Sequence, residues 1–445
     1  MELIADLHLH SKYSRAVSPQ MVISEIADWA DIKGIKLVGI PDWTHPLWIR
    51  ELKADLVEVG EGIFAYKERR DGPKFILVTE ISSIYSQAGK TRRIHNLVFA
   101  PDFEIVGKIN EALRNRGANL LSDGRPIIGL SAKELAETVL SIDADCLIIP
   151  AHAWTPWFSL YGSNSGFDSI KECFGEFSSQ ISAIETGLSS DPAMNWRIEE
   201  LDDRAIVSFS DAHSLAKLGR EVTVFKLKSQ NSKVKTLSRE LKINYQDIIG
   251  AIKKDSASDW EIGYTIEFYP EEGKYHWTGH RQCGVRQSPE ETRRLGATCP
   301  VCGRRLTIGV MHRVEQLAKR EQRSEAKEGK TGIKWLCCDN RPPYVMLVPL
   351  LEVLSEALET GISSQKNINE YNRLTSLFGG EFSVLLKTPI AEITKSSGER
   401  IGEAVRRVRS GEIVVDPGYD GVFGKVAVWQ EQEGKGEEKK QMSLF

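Results

Sequence analysis

Histidine and carboxylate side chains recur in the first half of the chain at spacings that suit metal binding. Two pairs are separated by one residue, His8 with His10 and Asp211 with His213, so each pair can face one side of an extended strand. The predicted ligands of this site are His8, His10, Glu80, His95, His152, Asp211 and His213. Imidazole combined with carboxylate suits zinc, manganese or iron.

So many ligands exceed the needs of one ion and suffice for a cluster of two or three. Bound divalent ions lower the pKa of water to about 7 and shield the charge of a phosphoryl transition state. We therefore predict a metal-dependent phosphoesterase that holds a divalent metal cluster, with zinc favoured and magnesium or manganese as alternatives. The residues predicted to act in catalysis are Asp211, His213, His152 and Glu80.

A second metal site is predicted further along the chain, from two pairs of ligands whose members lie three positions apart. Such spacing is what a tetrahedral structural zinc ion requires. The predicted zinc ligands are His280, Cys283, Cys299 and Cys302. Cys337 or Cys338 is the alternative to His280 as fourth ligand.

The elements that must position the first site alternate between short β-branched runs and helical patterns up to about residue 226. This alternation is typical of βα units and predicts an α/β fold with a parallel sheet. Seven strands suit a barrel better than a doubly wound sheet, and barrel enzymes gather their chemistry at the carboxyl-terminal mouth. The predicted strands are Leu3–His10, Leu37–Pro41, Phe75–Glu80, Ile94–Ala100, Leu147–Ala151, Ile181–Thr186 and Ile206–Asp211.

A chain of 445 residues is too long for one ordinary core, so several domains are expected. Changes in composition predict a catalytic barrel over 1–228, with an insertion at about 102–146, and a zinc-binding domain over 229–310. A mostly helical domain is predicted over 311–430. The residues 431–445 form a Glu/Lys/Gly-rich tail that we predict to be disordered.

The overall composition is that of a globular protein, with 41 % hydrophobic and 27 % charged residues. No apolar run approaches the roughly 18 residues of a membrane helix, and no signal peptide is visible, so we expect a cytoplasmic protein with reduced cysteines. The net charge of −4 disfavours a uniformly basic nucleic-acid binder. Between Arg281 and Arg341, however, 14 Lys or Arg residues face 7 Asp or Glu residues. That surplus suits a phosphate backbone, or else a solvated helical face.

The segment Asp6–Ser11 resembles the first motif of the PHP (polymerase and histidinol phosphatase) superfamily, whose fold is a distorted seven-stranded barrel with a trinuclear metal site. Longer stretches extend the similarity along the whole chain to the endonuclease Q family of prokaryotic repair nucleases. These stretches are Pro41–Pro46, Ala151–Pro156, Glu185–Arg197 and Ser210–Ser214. The resemblance implies cleavage of DNA on the 5′ side of deaminated bases (uracil, hypoxanthine, xanthine) and abasic sites, and work at the nucleoid.

Two positions depart from the superfamily pattern. Ser14 stands where many members have a further histidine, and Trp43 follows Asp42 where a histidine is usual. The third metal site is therefore in question, with Asp42 or His45 as candidate replacements.

An enzyme that inspects bases in duplex DNA must extrude the nucleotide into a pocket. Aromatic residues cluster beyond His152 and are candidates for the walls of that pocket, although each is equally compatible with a packing role. The candidates are Trp154, Trp157, Phe158, Tyr161 and Phe167.

The last five residues resemble a truncated box that binds a sliding clamp of the PCNA type. Gln441 would reach a small pocket of the clamp, while Leu444 and Phe445 would fill an apolar one. We expect damaged DNA and the clamp as partners of a monomeric protein.

Three other functions share parts of these features. A PHP small-molecule phosphatase would use every barrel ligand, and a 3′–5′ exonuclease can be built on the same barrel. A non-catalytic DNA adaptor would need only the basic segment. The zinc module, the basic segment and the clamp-like tail favour the endonuclease over the phosphatase.

Overall fold

The computed structural model describes residues 1–228, 243–321 and 324–430, which form a mixed α/β fold. The strands are β1 (Glu2–Asp6), β2 (Leu37–Ile40), β3 (Leu56–Gly60), β4 (Ile63–Tyr66), β5 (Lys74–Gln87), β6 (Lys90–Phe99), β7 (Ile127–Ile128), β8 (Leu147–Pro150), β9 (Ala183–Glu185), β10 (Ala205–Val207), β11 (Val222–Leu227), β12 (Trp260–Glu267), β13 (Thr278–His280), β14 (Val285–Gln287), β15 (Glu325–Glu328), β16 (Lys334–Cys337), β17 (Tyr344–Met346), β18 (Val414–Asp416) and β19 (Lys425–Ala427).

The helices lie between the strands in the first half of the chain and follow one another in the last third. They are α1 (Ile23–Lys33), α2 (Pro46–Asp55), α3 (Phe103–Asn115), α4 (Ala132–Ile142), α5 (Ile170–Phe174), α6 (Pro192–Asn195), α7 (Tyr245–Ile252), α8 (Pro289–Leu295), α9 (Val310–Leu317), α10 (Leu350–Ala357), α11 (Gln365–Phe378), α12 (Glu381–Leu386), α13 (Ile390–Ser397) and α14 (Glu399–Ser410). Within the described ranges, no helix has both the length and the apolar character needed to cross a membrane.

Each predicted strand overlaps an observed strand, but the orientation of one of them differs from the prediction. β1, β2 and β5 are parallel, whereas β6 is antiparallel to both β5 and β8. The reason is a two-residue hairpin in which Ala88 and Gly89 both have positive φ, as a tight turn between antiparallel strands requires. The prediction of an all-parallel sheet is therefore wrong at β6.

Backbone hydrogen bonds connect β8 to β9, β9 to β10, and the segment after β10 to the end of β1. The Ala153 N–H, after β8, donates to the carbonyl oxygen of Glu185 in β9 at 3.0 Å, and β9 pairs in parallel with β10. After β10, the carbonyl oxygen of Ala212 accepts the N–H of His10 at 3.0 Å, which leads back to the end of β1. The carboxyl ends of these strands consequently lie near one another.

Apolar side chains fill the space on both sides of these strands. One core cluster includes Leu3, Ala5 and Phe225 together with residues of α7, and the larger cluster lies against α1 and the other helices. The Tyr245 hydroxyl at the start of α7 donates to the carbonyl oxygen of Asp145, two residues before β8. The helix α7 thus covers the amino-terminal ends of the strands, opposite the metal ligands.

The main sheet continues beyond the first 228 residues. β11 pairs with β1, β12 with β11, and β17 with β12, and β16 and β15 extend the edge. The sheet therefore crosses the predicted boundaries near residues 229 and 311. The predicted division into domains remains a prediction, as does the predicted insertion, which contains α3, β7 and α4.

A buried ion pair connects the first helix with the carboxyl-terminal helices. Lys33 in α1 donates to Glu381 in α12 at 2.7 Å, and both side chains are almost fully buried. Glu381 also accepts hydrogen bonds from the Tyr371 hydroxyl and from the Leu350 N–H. A buried charge that loses its partner lowers the stability of the fold. This ion pair therefore fixes how α1 packs against the carboxyl-terminal helices.

We predict that Glu381→Ala lowers the free energy of unfolding by about 3–5 kcal/mol, because it leaves the Lys33 ammonium buried without a counter-charge. Urea unfolding followed by circular dichroism measures the change. The matched control is Glu325→Ala, which breaks the exposed pair with Lys327 and should cost less than about 1 kcal/mol. Equal losses in the two variants would contradict the prediction.

Candidate metal centre

The loops at the carboxyl ends of the strands bring the predicted ligands together. His8 and His10 follow β1, His152 follows β8 and Asp211 follows β10. Glu80 lies in the middle of the long strand β5, although the sequence pattern predicted a strand end there. The hairpin places β6, and with it the His95 ring, beside β5.

The first group of ligands consists of His8, His10 and Asp211, whose ligand atoms lie within 4.8 Å of one another. Asp211 Oδ1 is 3.5 Å from His8 Nε2 and 3.2 Å from His10 Nε2. These three atoms are buried and have no hydrogen-bond partner among the described residues. Buried polar atoms without partners are rare, and here they converge on one point, as ligands of a cation do. The donor set therefore fits a divalent metal ion.

The second group consists of Glu80, His95 and His152. Glu80 Oε1 is 2.6 Å from His95 Nδ1 and 3.0 Å from His152 Nε2. Its other oxygen, Oε2, is 3.3 Å from His10 Nε2 in the first group. Glu80 therefore faces both groups, as a carboxylate shared by two ions would.

Electrostatic surroundings keep the shared carboxylate ionised. Burial opposes the charge of Glu80, but His95 and Arg125 hold the pKa of the carboxyl group well below its usual range. Burial lowers the pKa of His95 to about 4 despite the attraction of Glu80. An ionised carboxylate and a neutral imidazole are the states that bind metals. Burial opposes protonation of His8, His10 and His152, but neighbouring carboxylates raise the pKa of all three, so a metal ion would have to displace their ring protons.

Two outer carboxylates orient the first pair of histidines. Glu185 Oε1 is 2.9 Å from His8 Nδ1, and Asp42 Oδ1 is 3.1 Å from His10 Nδ1. Such contacts fix the ring and leave Nε2 free for the metal. Glu185 was not among the predicted site residues, although its position near the end of a predicted strand was a usable signal.

Three residues of the site have backbone angles that side-chain-bearing residues seldom adopt. The φ angles are +54° at Asp42, +32° at His152 and +47° at Asp211. Each such residue costs about 1–3 kcal/mol and persists only where its surroundings impose it. A Cβ on Gly187 would lie 2.3 Å from the Cβ of His152, so only glycine permits this approach of the two loops.

The remaining candidate ligands lie outside both groups. The His213 ring stands 4.8 Å from the ring of His10, with Nδ1 2.8 Å from the carbonyl oxygen of Asp211. The His45 ring stacks on Tyr13 at 4.3 Å. Asp42 contacts His10 and not a metal group, so the structure places neither His45 nor Asp42 as a replacement ligand.

Arg125 is a site residue that the sequence analysis missed. Its Nη1 donates to Glu80 Oε2 at 3.0 Å, from the loop between α3 and β7. The spacing of the histidines gave no signal for this residue, because an arginine in a loop of undefined course has no predictable neighbour.

The aromatic residues beyond His152 separate into two sets. Trp154, Tyr161 and Phe167 are buried, although Phe167 also borders a surface cleft, so their assignment to a base pocket stays a prediction. The Trp154 indole donates to Asn195 at 2.7 Å and the Tyr161 hydroxyl to Glu200 at 2.8 Å, which explains why their polar atoms tolerate burial.

Trp157 and Phe158 remain partly exposed near the metal groups. The Phe158 ring lies 4.9 Å from that of His95, and Trp157 contacts Tyr275 with ring centres 5.4 Å apart. These two residues stay candidates for contact with a nucleotide.

The four predicted ligands of the structural site also converge. His280, Cys283, Cys299 and Cys302 present ligand atoms within 4.8 Å of one another, a set that could hold zinc. Burial opposes ionisation of Cys299, but the N–H groups of Cys302 and of the residue before it lower the pKa of the Cys299 thiol to about 6. The thiolate is the form that binds metal.

The alternative ligands of this module lie elsewhere. Cys337 ends β16 in the main sheet, Cys338 follows it, and neither belongs to the group. Because the sheet fixes both residues, His280 is the fourth ligand that the geometry supports.

The chain is similar to several known proteins. The family model described as "MJ0043 C-terminal domain" matches residues 349–412. The uncharacterized protein MJ0043 of Methanocaldococcus jannaschii is 31 % identical over 62 % of this chain, and the chain spans only 31 % of that protein. The described helices α10 to α14 coincide with the matched family region.

Two solved structures match nearly the whole chain. The lesion-specific endonuclease PfuEndoQ from Pyrococcus furiosus is 31 % identical, with complete coverage of both chains and a TM-score of 0.80. Endonuclease Q in complex with a 27-mer duplex substrate that has an abasic lesion at the active site is 32 % identical. That match covers 99 % of this chain and 100 % of the other, also with a TM-score of 0.80.

We predict that Cys302→Ser removes one equivalent of zinc and lowers the melting temperature of the protein, because the module loses a ligand that contributes to its folding. Metal content by mass spectrometry and thermal melting measure both effects. The matched control is Cys338→Ser, which should retain the zinc. If Cys338→Ser lost the zinc and Cys302→Ser kept it, Cys338 would be the ligand and the prediction would be contradicted.

Proposed function

The chain belongs to the endonuclease Q family, and on that premise we propose that it is a metal-dependent DNA repair endonuclease. It hydrolyses the phosphodiester bond on the 5′ side of deaminated bases (uracil, hypoxanthine, xanthine) and of abasic sites. The observation that carries this proposal is the pair of buried ligand groups joined by Glu80 at the mouth of the fold. Full-length similarity to a lesion-specific endonuclease and to endonuclease Q solved with a duplex substrate supports DNA as the substrate.

The strand order supports the finer structural proposal of a distorted seven-stranded PHP barrel. Strand pairing joins β1, β2, β5, β6 and β8 in that order and separately joins β9 to β10. Single hydrogen bonds complete the ring, from Ala153 to Glu185 between β8 and β9 and from His10 to Ala212 between the ends of β1 and β10. The carboxyl-terminal mouth of such a barrel is where catalytic loops gather.

Two divalent ions suit this donor set, with zinc favoured and magnesium or manganese as alternatives. When bound, they supply a nucleophile at neutral pH and neutralise the charge of the phosphate. Glu185 and Asp42 hold the rings of His8 and His10 in one orientation, and His213 stands at the rim, beside Asp211. We assign Glu80, His152, Asp211 and His213 to the reacting side of the site.

A surface cleft apart from the two ligand groups suits a nucleic acid, and none of its lining residues belongs to those groups. This cleft of about 960 Å³ separates the tip of the β5–β6 hairpin from α8 and α9, and cationic side chains line it. The cations are Lys90, Arg92, Arg293, Arg305 and Arg313. Although Arg293 and Arg313 pair with carboxylates, Lys90 and Arg305 stay exposed, and cations so placed attract a phosphate backbone.

Half-exposed aromatic residues extend from the metal site toward the zinc module. Phe158 lies against His95 with the Arg93 guanidinium 5.4 Å from its ring centre, and Trp157 contacts Tyr275. Bases that leave the duplex stack on such rings. Trp157 and Phe158 are therefore the residues that we assign to the extruded nucleotide.

The proposal is tested with end-labelled duplexes that contain one uracil, one hypoxanthine, one abasic site or no lesion. We expect a single nick on the 5′ side of each lesion and none in the undamaged duplex. Progressive shortening from the 3′ end would instead identify an exonuclease. Phosphate release from histidinol phosphate without nicking would identify a small-molecule phosphatase.

We predict that Asp211→Ala reduces nicking by several orders of magnitude but leaves affinity for the lesion duplex within a few-fold of wild type, because it removes a metal ligand and no phosphate contact. Gel-shift titration measures binding and denaturing gels measure cutting. Asp71→Ala, at an exposed carboxylate remote from the site, is the control and should change neither nicking nor binding. Parallel loss of binding in Asp211→Ala would contradict this assignment.

The clamp-binding box, formed by Gln441, Leu444 and Phe445, lies outside the described residues. We keep it as a proposal: the tail recruits a PCNA-type clamp to a monomeric enzyme. Deletion of residues 441–445 should leave basal nicking unchanged and abolish stimulation by the clamp. Lys439→Ala with Lys440→Ala is the control for loss of charge, and unchanged stimulation after the deletion would refute the proposal.

A further inference from the structure

We propose that Arg125 supplies the third positive charge of the catalytic centre, in the place of a third metal ion. The inference rests on the proposed function, because it assigns a role within the same phosphoesterase site. It departs from the trinuclear site that the PHP resemblance implies, since the described residues form two groups of ligands in the barrel and no third.

Most side chains that would hold a third ion are absent or engaged. The exception is His45, whose Nδ1 has no hydrogen-bond partner among the described residues, but its ring stacks on the Tyr13 ring outside both ligand groups. Trp43 is completely buried within the main hydrophobic cluster, and a serine stands at position 14. Asp42 is engaged through both oxygens: Oδ1 with His10, and Oδ2 with the Ser11 N–H, the Ser11 hydroxyl and the Ser14 hydroxyl. A carboxylate that accepts this many bonds has little capacity left for a cation.

The space beside Asp42 is also filled. A Cβ built on Gly124 would lie 2.5 Å from both Asp42 Oδ2 and Ser14 Oγ, so the backbone of this loop presses directly on them. The Thr44 hydroxyl fastens the loop from the other side by donating to the Gly124 carbonyl oxygen at 2.9 Å. The loop that excludes further ligands is the same loop that carries Arg125.

Arg125 reaches the site from that loop. Asp123 Oδ1 accepts the Arg125 N–H at 3.1 Å, which sets the course of the backbone. The guanidinium donates to Glu80 Oε2 at 3.0 Å, on the side of Glu80 that faces His10. About 25 % of the Arg125 side chain remains exposed, so the group borders both the ligands and the open mouth.

A guanidinium suits this position because its charge is permanent and its donors are fixed in a plane. It can keep one donor on Glu80 and direct another at a non-bridging oxygen of the scissile phosphate. Charge that accumulates on that oxygen as the P–O bond breaks would meet a preorganised donor. Two carboxylates, Glu80 and Asp211, then face two divalent ions and one arginine.

The first test counts metal ions and does not depend on activity. Mass spectrometry of the wild-type holoprotein should find two ions in the barrel and one in the zinc module, matching the three ligand groups of the described chain. Arg125→Ala and Arg125→Lys should retain all of them. Three barrel ions in the wild type, or loss of an ion from Arg125→Ala, would overturn the proposal.

The second test asks whether the charge of Arg125 acts in the reaction. Arg125→Ala should lower kcat for the lesion duplex by about 10²–10³-fold with KM changed only a few-fold, and added guanidinium ion should restore part of the lost rate. Arg125→Lys should fall between wild type and Arg125→Ala. An increase in KM with kcat unchanged would refute the role. A decrease in kcat that guanidinium does not rescue in a fully metallated protein would also refute it.

Arg15→Ala is the matched control. Arg15 pairs with the same Asp123, but its side chain is 75 % exposed and does not reach the ligands, so its rate should equal that of the wild type. Bis(p-nitrophenyl) phosphate serves as a second substrate for all variants. If the wild type hydrolyses this diester but ignores lesions, the proposed function fails while the inference about Arg125 is still decided by the rates and the metal count.

Discussion

The carboxylate of Glu80 is the contact on which the arrangement of the metal centre depends. One of its oxygens lies 2.6 Å from His95 and 3.0 Å from His152, and the other faces His10 and Arg125. Because the group is fully buried, its charge must be matched by cations at close range. The two ligand groups are thereby held at a separation that one carboxylate can span, which is the requirement for two ions to act on one phosphate.

The rest of the fold supplies the rigidity that this shared carboxylate needs. Glu80 and His95 come from the two strands of one hairpin, so their relative position is set by cross-strand hydrogen bonds. His152 and Asp211 are held in strained left-handed conformations by the strand ends that precede them. Strain of this kind persists because Glu185, which accepts the His152 N–H at 2.8 Å, and the packing of Gly187 leave no alternative.

The continuity of the main sheet explains how the predicted zinc module, far along the chain, comes to lie next to the first half of the chain. β12 belongs to the sheet. In the segment that follows β12, Tyr275 contacts the Trp157 ring, and His280 lies five residues further along the chain. After the module, Arg313 in α9 donates to the carbonyl oxygens of Tyr161 and Phe167, so the chain contacts its first half on both sides of the module. The carboxyl-terminal helices are joined in turn by the buried pair of Lys33 and Glu381.

The sequence by itself determined the identity of most site residues, the strand positions and the zinc ligands. His-x-His and Cys-x-x-Cys spacings are local, and the geometry of one strand or one turn converts them directly into ligand positions. The antiparallel direction of β6 was not predicted, since an Ala-Gly turn is a weaker signal than the Asn-Gly pairs that usually mark hairpins. It depends on φ angles at Ala88 and Gly89 that composition does not reveal.

Only the tertiary structure decided which residues surround the ligands. The contact of Arg125 with Glu80 joins positions 45 apart through a loop without a sequence pattern, and that of Glu185 with His8 joins positions 177 apart. The burial of Trp154 was equally undetermined, because an aromatic side chain near a ligand can face the core or the mouth, and packing against the surrounding elements selects between them. Spacing along the chain specifies what a residue can do, and long-range packing specifies what it meets.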